Sequence, residues 1–430
     1  MELTEALRYL ESHVNLEAVL ATRHQAPSLE RMRELVGLMG DPQKAYPVIH
    51  LTGTNGKGST ARMITALMSA SGLSVGTYTS PDLERINERI AWNGEPIPDG
   101  DLSDVLSSLS DLELLMSATP SRFDLLTAAA LRWFADVAVD VAVLEVGLGG
   151  RWDATNVADG AVSVVTNVEL DHMELLGPTR AHIAAEKAGI ARPGSPLVLG
   201  ETDPDLYGLF EAERPDPILL RGRDYACEST KIAHGGRLLS LRTPGATYPE
   251  VYLPLHGGHQ GDNAAAALTA AEAFFGAPLD TSVVEEAFAS VRTPGRMEVL
   301  GRHPLRILDG AHNPAGARAA AATLDEEFSG VAGRILVVGI LEGREPEEML
   351  AAMGAERARL VVATSPPSPR AVPASVLADA ARAMGVEVVE SEPVAEAVRR
   401  AVAEAHQDEL VLVIGSLYVV GAARTALRPR

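Results

Sequence analysis

The sequence predicts an α/β protein: a phosphate-loop domain with a small β-rich insertion, followed by a second, Rossmann-like α/β domain. Three observations carry this. The apolar run Val48 to Leu51 enters a glycine-rich turn holding one lysine, Thr52-Gly53-Thr54-Asn55-Gly56-Lys57-Gly58-Ser59-Thr60, and an apolar helical stretch, Ala61 to Ser69, follows. Val139 to Val146 is a nearly continuous apolar run closing on a carboxylate, the pattern of a central parallel strand covered on both faces. From Arg306 to the carboxyl terminus, strand and helix patterns alternate.

The 430 residues are enough for two or three domains, and 46% hydrophobic with 22% charged residues is ordinary for a globular chain. A formal net charge of -21 argues against general affinity for nucleic acid or anionic membranes, so a nucleotide has to be held by a local site working against the overall field. One cysteine, Cys227, fits a reducing compartment, and no stretch approaches the roughly 20 apolar residues of a membrane helix. A cytoplasmic protein is expected.

In chain order, residues 3 to 20 read as an amphipathic helix. Residues 28 to 39 read as a second, capped by Ser28 after a break at Ala26-Pro27-Ser28-Leu29. Strands are expected at Ser74 to Thr79, Glu88 to Trp92, Gly160 to Val168 and Pro196 to Leu199, and helices at 99 to 116 and 123 to 135. Residues 221 to 255 carry short alternating runs and suggest the β-rich insertion; an alanine-rich helix then covers Asp262 to Phe275. Arg292 to Arg296 reads as a linker, dividing a domain of residues 1 to 293 from one of residues 297 to 430. The second has strands at Arg306 to Leu308, Arg334 to Val338, Leu360 to Ala363 and Leu410 to Ile414. Its helices are expected at Pro314 to Phe328, Glu345 to Ala355, Ala374 to Met384 and Val394 to Ala405.

The turn at 53 to 59 has the chemistry of a phosphate cradle. Glycines let successive N–H groups face one concavity, the helix N-terminus adds partial positive charge, Lys57 reaches the phosphates, and a hydroxyl such as Ser59 is suited to Mg²⁺. It is a variant: Leu51 stands where the usual first glycine would be, and Gly58 separates Lys57 from Ser59. Glu145 ends a strand directly before Gly147-Leu148-Gly149-Gly150-Arg151 and reads as a Mg²⁺ ligand or as a solvated strand end. Following the strand that ends near Val168, His172 reads as a metal ligand or acid/base group, or as structural; by local pattern alone Lys187 is an exposed lysine and Ser80 a turn residue before Pro81. Asp309-Gly310-Ala311-His312-Asn313-Pro314 lies where a Rossmann-like sheet presents ligand groups, or simply caps a helix.

These pieces occur in the order of a known family. The sequence resembles the bifunctional dihydrofolate synthase/folylpolyglutamate synthases of the Mur ligase superfamily over nearly its whole length. The resemblance rests on the loop at 52 to 59, Tyr78-Thr79-Ser80-Pro81, Glu145 to Asn156, Leu170-Asp171-His172, Leu176-Gly177, Glu186 to Ile190, Pro294-Gly295-Arg296 and Asp309 to Pro314. It implies a Mur-ligase-like central domain binding ATP on Thr54, Asn55, Gly56, Lys57, Gly58 and Ser59, with Asn263, Arg296, Asp309 and His312 also at the nucleotide. By the same resemblance Ser80, Glu145 and His172 match magnesium ligands, and Lys187 matches a lysine carried as a carbamate, which turns a cation into an anion able to hold metal. Lys57, Lys187 and His172 are the expected catalytic residues. The pteridine-bearing substrate is expected near Ala26, Pro27, Ser28, Leu29, Phe123, Trp152, Asp153 and Ala154. Asp82 departs from the family, in which histidine follows Ser-Pro.

The implied reaction is ligation of L-glutamate to dihydropteroate, to the glutamate tail of tetrahydrofolate, or to both. ATP forms an acyl phosphate on the substrate carboxylate, and domain closure is expected around residues 293 to 297. The partners are small molecules, with no nucleic acid and no membrane, and a monomer is expected. A Mur peptidoglycan ligase would share the loop and the lysine, but usually carries a nucleotide-sugar-binding domain ahead of the loop, for which the chain before Val48 is short. A non-catalytic ATP-binding module would not need Glu145, His172 and Lys187 together.

Overall fold

The computed structural model describes residues 1–15 and 29–428, which divide into two compact units: 1–254 with 260–292, and 255–259 with 293–430. The first unit begins with α1 (Leu3–Glu11), shorter than the periodicity suggests. The helix stops because His13 turns inward: its imidazole is buried, Nδ1 lies 2.8 Å from the Tyr9 carbonyl oxygen and Nε2 3.0 Å from Glu113 Oε1. The expected break at Ala26, Pro27 and Ser28, with the Ser28 cap, lies outside the described residues. Helix α2 (Leu29–Leu38) follows, burying Leu29, Met32, Leu35 and Val36 at helical spacing.

Strand β1 (Val48–Thr52) is buried at every position. The helix after it, α3 (Lys57–Ala70), begins four residues before the first apolar residue of its pattern, so Lys57, Gly58 and Ser59 form its opening turn. Next come β2 (Val75–Tyr78), β3 (Ile90–Trp92), β4 (Glu95–Pro96), α4 (Asp99–Glu113) and α5 (Arg122–Asp136). Acidic Asp99 and Asp101 sit in the first turn of α4, where the helix dipole favours them. A reciprocal cap opens α5: Ser121 Oγ accepts from Asp124 N (3.1 Å) and Asp124 Oδ2 accepts from Ser121 N (2.8 Å). Then follow β5 (Val141–Glu145), β6 (Gly160–Val165), α6 (Met173–Leu176), α7 (Arg180–Ala188), β7 (Leu197–Leu199), α8 (Pro204–Glu211) and β8 (Ile218–Leu220). The apolar run at 160 to 168 makes a strand only as far as Val165, because Thr166 and Asn167 turn away to hold the glycine-rich loop.

These strands form one eight-stranded sheet in the order β4-β3-β2-β5-β1-β6-β7-β8, parallel from β2 to β8. Strand β1 lies between β5 and β6, so the loop that leaves its carboxyl end opens into the crevice where open α/β sheets bind ligands. The insertion is a three-stranded antiparallel sheet of β9 (Ala226–Ala233), β10 (Gly236–Arg242) and β11 (Thr247–Leu253). Helix α9 (His259–Phe275) and α10 (Thr281–Ser290), the latter not apparent in the sequence pattern, follow it.

The second unit carries a six-stranded sheet. Its elements are β12 (Glu298–Arg302), β13 (Leu305–Asp309), α11 (Pro314–Glu327), β14 (Arg334–Val338), α12 (Pro346–Ala352), β15 (Leu360–Ala363), α13 (Ala374–Ala383), β16 (Val388–Glu390), α14 (Val394–Glu404), β17 (Leu410–Ile414) and α15 (Leu417–Leu427). The order is β12-β13-β17-β14-β15-β16, with β12 an antiparallel edge and the rest parallel. Strands β12 and β16 and helix α15 were not apparent in the sequence. Among the described residues no helix is long and apolar enough to cross a membrane.

The core of the first unit centres on α5, where Phe134 is fully buried beside Tyr46 and Trp133, with ring centroids at 6.3 and 6.1 Å. Phe134→Ala leaves a cavity there. It is expected to destabilise the unit by about 3–5 kcal/mol in urea unfolding followed by circular dichroism. A loss under about 1 kcal/mol would show that the site collapses around the missing ring.

Candidate active site

The glycine-rich loop is shaped by its neighbours as much as by its own residues. Gly56 takes a left-handed φ of 83° at the cap of α3, and a Cβ there would sit 2.5 Å from Asn263 Oδ1, so Asn263 lies directly against the loop. At Gly53 a Cβ would overlap Thr166 Oγ1. Thr54 and Ser59 are buried. Lys57 Nζ donates to the loop's own carbonyls, Gly53 O at 3.0 Å and Thr54 O at 3.3 Å, which holds the ammonium at the mouth of the turn. The opening N–H groups of α3 have no acceptor within the helix, as at any helix N-terminus.

Glu145 ends β5 beside Leu51 of β1 and is 3% exposed. Its Oε2 accepts from Ser80 N at 3.3 Å and lies 3.5 Å from where a Cβ of Gly58 would stand, so Ser80, Glu145 and the loop share one locus. His172, with φ 49°, follows Asp171; its side chain is one-third exposed, with Nε2 3.8 Å from Asp171 Oδ1 and Nδ1 3.9 Å from Glu174 Oε1. Among the described residues no three His, Cys, Asp or Glu side chains converge on one point. Mg²⁺ at a nucleotide takes most of its oxygens from phosphates and water and needs only one or two carboxylates. The buried Glu145 carboxylate beside Ser80 fits such an ion.

Lys187, on α7, is 3% exposed, which is not the exposed lysine of its local pattern. Burial first, and then the positive charge of Lys57, push its ammonium well below the ordinary lysine range, against the opposing pull of Asp171 and Asp153. The turn at Gly147 to Arg151 buries it. A Cβ on Gly150 would meet the Glu186 carbonyl at 2.7 Å and Lys187 Cα at 3.1 Å, so only glycine admits the helix this close, and Arg151 N donates to Glu186 O at 2.9 Å.

The residues expected at the pteridine separate into three groups. Ala26, Pro27 and Ser28 lie outside the described residues. Leu29 and the half-exposed Trp152 line one cavity of about 690 Å³, together with Arg33, Lys44, Arg151 and Arg192. Phe123 does not line it; its ring covers Gly147, where a Cβ would approach Cζ to 2.5 Å, and stands 6.0 Å from Tyr78. Asp153 and Ala154 are buried. Asp153 Oδ2 accepts from Leu148 N at 3.0 Å, and Oδ1 accepts from Thr155 N at 3.0 Å and Thr155 Oγ1 at 2.6 Å. Burial pushes its carboxyl up to about 6 against those bonds. Asp153 thus braces the glycine turn. Beneath it, His50 Nε2 lies 2.9 Å from Thr155 Oγ1, with its imidazole pushed down to about 3 by burial and by Arg192.

Asp82 has a structural reason. Burial would raise its carboxyl, but the guanidinium of Arg89, 2% exposed and with Nε 2.6 Å from Asp82 Oδ1, holds it below the usual carboxylate range. Within the second unit, Arg296, Asp309 and His312 gather at the carboxyl end of β13. Asp309 Oδ2 accepts from Met297 N and Oδ1 from Ala311 N, both at 2.9 Å, while Gly310 N donates to Gly295 O at 2.8 Å and carries its backbone past Arg296. His312 Nδ1 lies 3.0 Å from the Gly310 carbonyl oxygen.

Residues 51–271 match the Mur ligase middle domain and residues 295–417 the Mur ligase glutamate ligase domain. The dihydrofolate synthase/folylpolyglutamate synthase of Mycobacterium tuberculosis is 43% identical over 381 residues, 83% of this chain and 77% of that protein. The folylpolyglutamate synthase of Lacticaseibacillus casei is 33% identical over 99% of both chains. Among solved structures, Mycobacterium tuberculosis folylpolyglutamate synthase complexed with ADP superposes with a TM-score of 0.92 at 37% identity, covering 100% of this chain and 99% of that one. E. coli FolC in complex with DHPP and ADP gives 0.87 at 30%, covering 99% and 98%. Mur ligase middle and glutamate ligase domains, matched end to end by folylpolyglutamate synthases, place the chain in the Mur ligase family, among the dihydrofolate synthase/folylpolyglutamate synthases.

Proposed function

We propose that the chain is an ATP-dependent amide ligase that joins L-glutamate to dihydropteroate, to the glutamate tail of tetrahydrofolate, or to both. The observation that carries this reading is Lys187: a fully buried amine whose ammonium form is disfavoured, first by burial and then by the positive charge of the loop lysine Lys57. A module that only bound ATP would have no use for it.

A carboxylate resists nucleophiles because its own charge repels them, so it is first made an acyl phosphate by the γ-phosphoryl of ATP. The α-amine of glutamate then attacks the carbonyl carbon; the tetrahedral intermediate collapses to the amide, and inorganic phosphate leaves beside ADP. Gly56 to Ser59 hold the phosphates with backbone N–H groups, Thr54 and Asn55 set the path of the loop that presents them, and Lys57 leaves Gly53 O and Thr54 O to neutralise the charge that builds on the transferring phosphoryl. Ser80, Glu145 and His172, with Lys187 as its carbamate, are the residues that would hold Mg²⁺, which supplies Lewis-acid neutralisation of the phosphates. We assign Asn263, Arg296, Asp309 and His312 to ATP, and Leu29, Phe123 and Trp152 to the pteridine-bearing substrate. Asp153 and Ala154 serve that substrate by shaping the turn beneath it. The working form is a cytoplasmic monomer.

Neutral amines, not ammonium ions, combine with CO₂, forming an N–C bond and releasing one proton. Lowering the pH therefore drives a carbamate off, and burial of Lys187, by pushing its ammonium well below the ordinary lysine range, favours the reactive amine form. In CO₂-depleted buffer, activity is expected to fall with decreasing pH and to return on adding bicarbonate; indifference to bicarbonate across that range would remove the carbamate from the account.

The reaction itself is tested by glutamate-dependent ADP release with dihydropteroate, with tetrahydrofolate and with neither. Stimulation by at least one pterin is expected, and stimulation by neither sinks the folate reading. Lys57→Ala should lower kcat/KM for ATP by about 100-fold or more, as removal of a charge-stabilising donor does elsewhere.

A further inference from the structure

The expected cradle residues include Asn55, yet its backbone N–H and C=O are both taken by a side chain from beyond the end of another strand. Asn167 stands just past the end of β6, where the apolar run breaks away from the sheet. Its Oδ1 accepts from Asn55 N at 2.9 Å and its Nδ2 donates to Asn55 O at 3.1 Å. One planar carboxamide therefore grips both polar groups of Asn55, as a neighbouring strand would. Three further contacts reinforce it: Asn167 O accepts from Thr54 N at 3.1 Å, Thr166 Oγ1 donates to Asn55 O at 2.7 Å, and Glu169 N donates to Thr54 Oγ1 at 3.0 Å. The loop thus lies flat on residues 166 to 169, and the tight approach at Gly53 allows it.

We propose that Asn167 is a positioning residue for the nucleotide: it holds the peptide groups of Asn55 so that the downstream N–H groups, from Gly56 into the first turn of α3, already face the phosphates before ATP arrives. Because Asn55 N–H points at Asn167, the cradle proper starts at Gly56, and Asn55 contributes by being held. Ordering a loop costs conformational entropy, and a loop ordered in advance binds its ligand without that loss. Asn167 touches no reacting atom. The inference rests on the proposal that this loop holds ATP.

The test compares wild type with Asn167→Leu, which keeps the branched shape and removes both bonds, Asn167→Asp, which keeps an acceptor for Asn55 N but sets a carboxylate against Asn55 O, and Lys57→Ala. ADP and ATP binding are measured by calorimetry without pterin, alongside KM for ATP, glutamate and pterin, and exchange of the Asn55 amide hydrogen. Asn167→Leu should weaken nucleotide binding at least tenfold and raise KM for ATP, with KM for glutamate and pterin within twofold of wild type. Exchange at Asn55 should speed up with both variants, more with leucine. If Asn167→Leu does not fold, Thr166→Val, which removes the second donor to Asn55 O, should show the same pattern at smaller size. Nucleotide affinity equal to wild type in a folded Asn167→Leu or Thr166→Val, while Lys57→Ala loses it, overturns this inference and leaves the loop reading standing. A wild-type chain that binds neither ADP nor ATP overturns both.

Discussion

Removing the Lys187 amine from water is the constraint on which the site depends. Burial disfavours the ammonium form, and a second cation nearby, Lys57, pushes the same way. Much of the surrounding architecture serves that burial. Gly150 lets the helix carrying Lys187 approach to van der Waals contact, Asp153 braces the turn from below, and Arg192 holds the helix end by donating to Gly189 O, Ile190 O and Ala191 O at 3.3, 3.2 and 3.5 Å.

The negative field explains a second feature. On the proposed assignment of ATP to this loop, the positive contributions are local: one lysine, the N-terminus of α3, and the donors of a loop held in place by its neighbours. Asn167 and Thr166 belong to this arrangement, because a strand that ends early can turn its side chains onto the loop beside it.

Much of this was legible in the sequence. The strand–loop–helix at 48 to 69, the carboxylate closing the 139 to 146 run and the alternation beyond 306 are strong periodic signals, and they appear as β1 with α3, β5 and the second sheet. What escaped depends on contacts distant in sequence. Lys187 looks exposed because nothing in Glu186-Lys187-Ala188 records the glycine turn that covers it. Asn167 hid inside a longer apolar run, since only pairing with the loop ends the strand at Val165. Helix α15 was missed although Ser416 caps it, Oγ accepting from Val419 N at 3.2 Å, because the strand and helix merge into one apolar stretch. Asp82, a departure from the family pattern, makes sense only with buried Arg89 in view.

The state of Lys187 is the point on which the rest turns, and it can be observed without turnover. Protein equilibrated with ¹³C-bicarbonate at neutral pH and examined by ¹³C NMR should give one carbamate carbonyl resonance, absent from Lys187→Ala and lost on acidification. A spectrum with no such resonance in the wild-type protein, or one that persists in Lys187→Ala, would contradict the account.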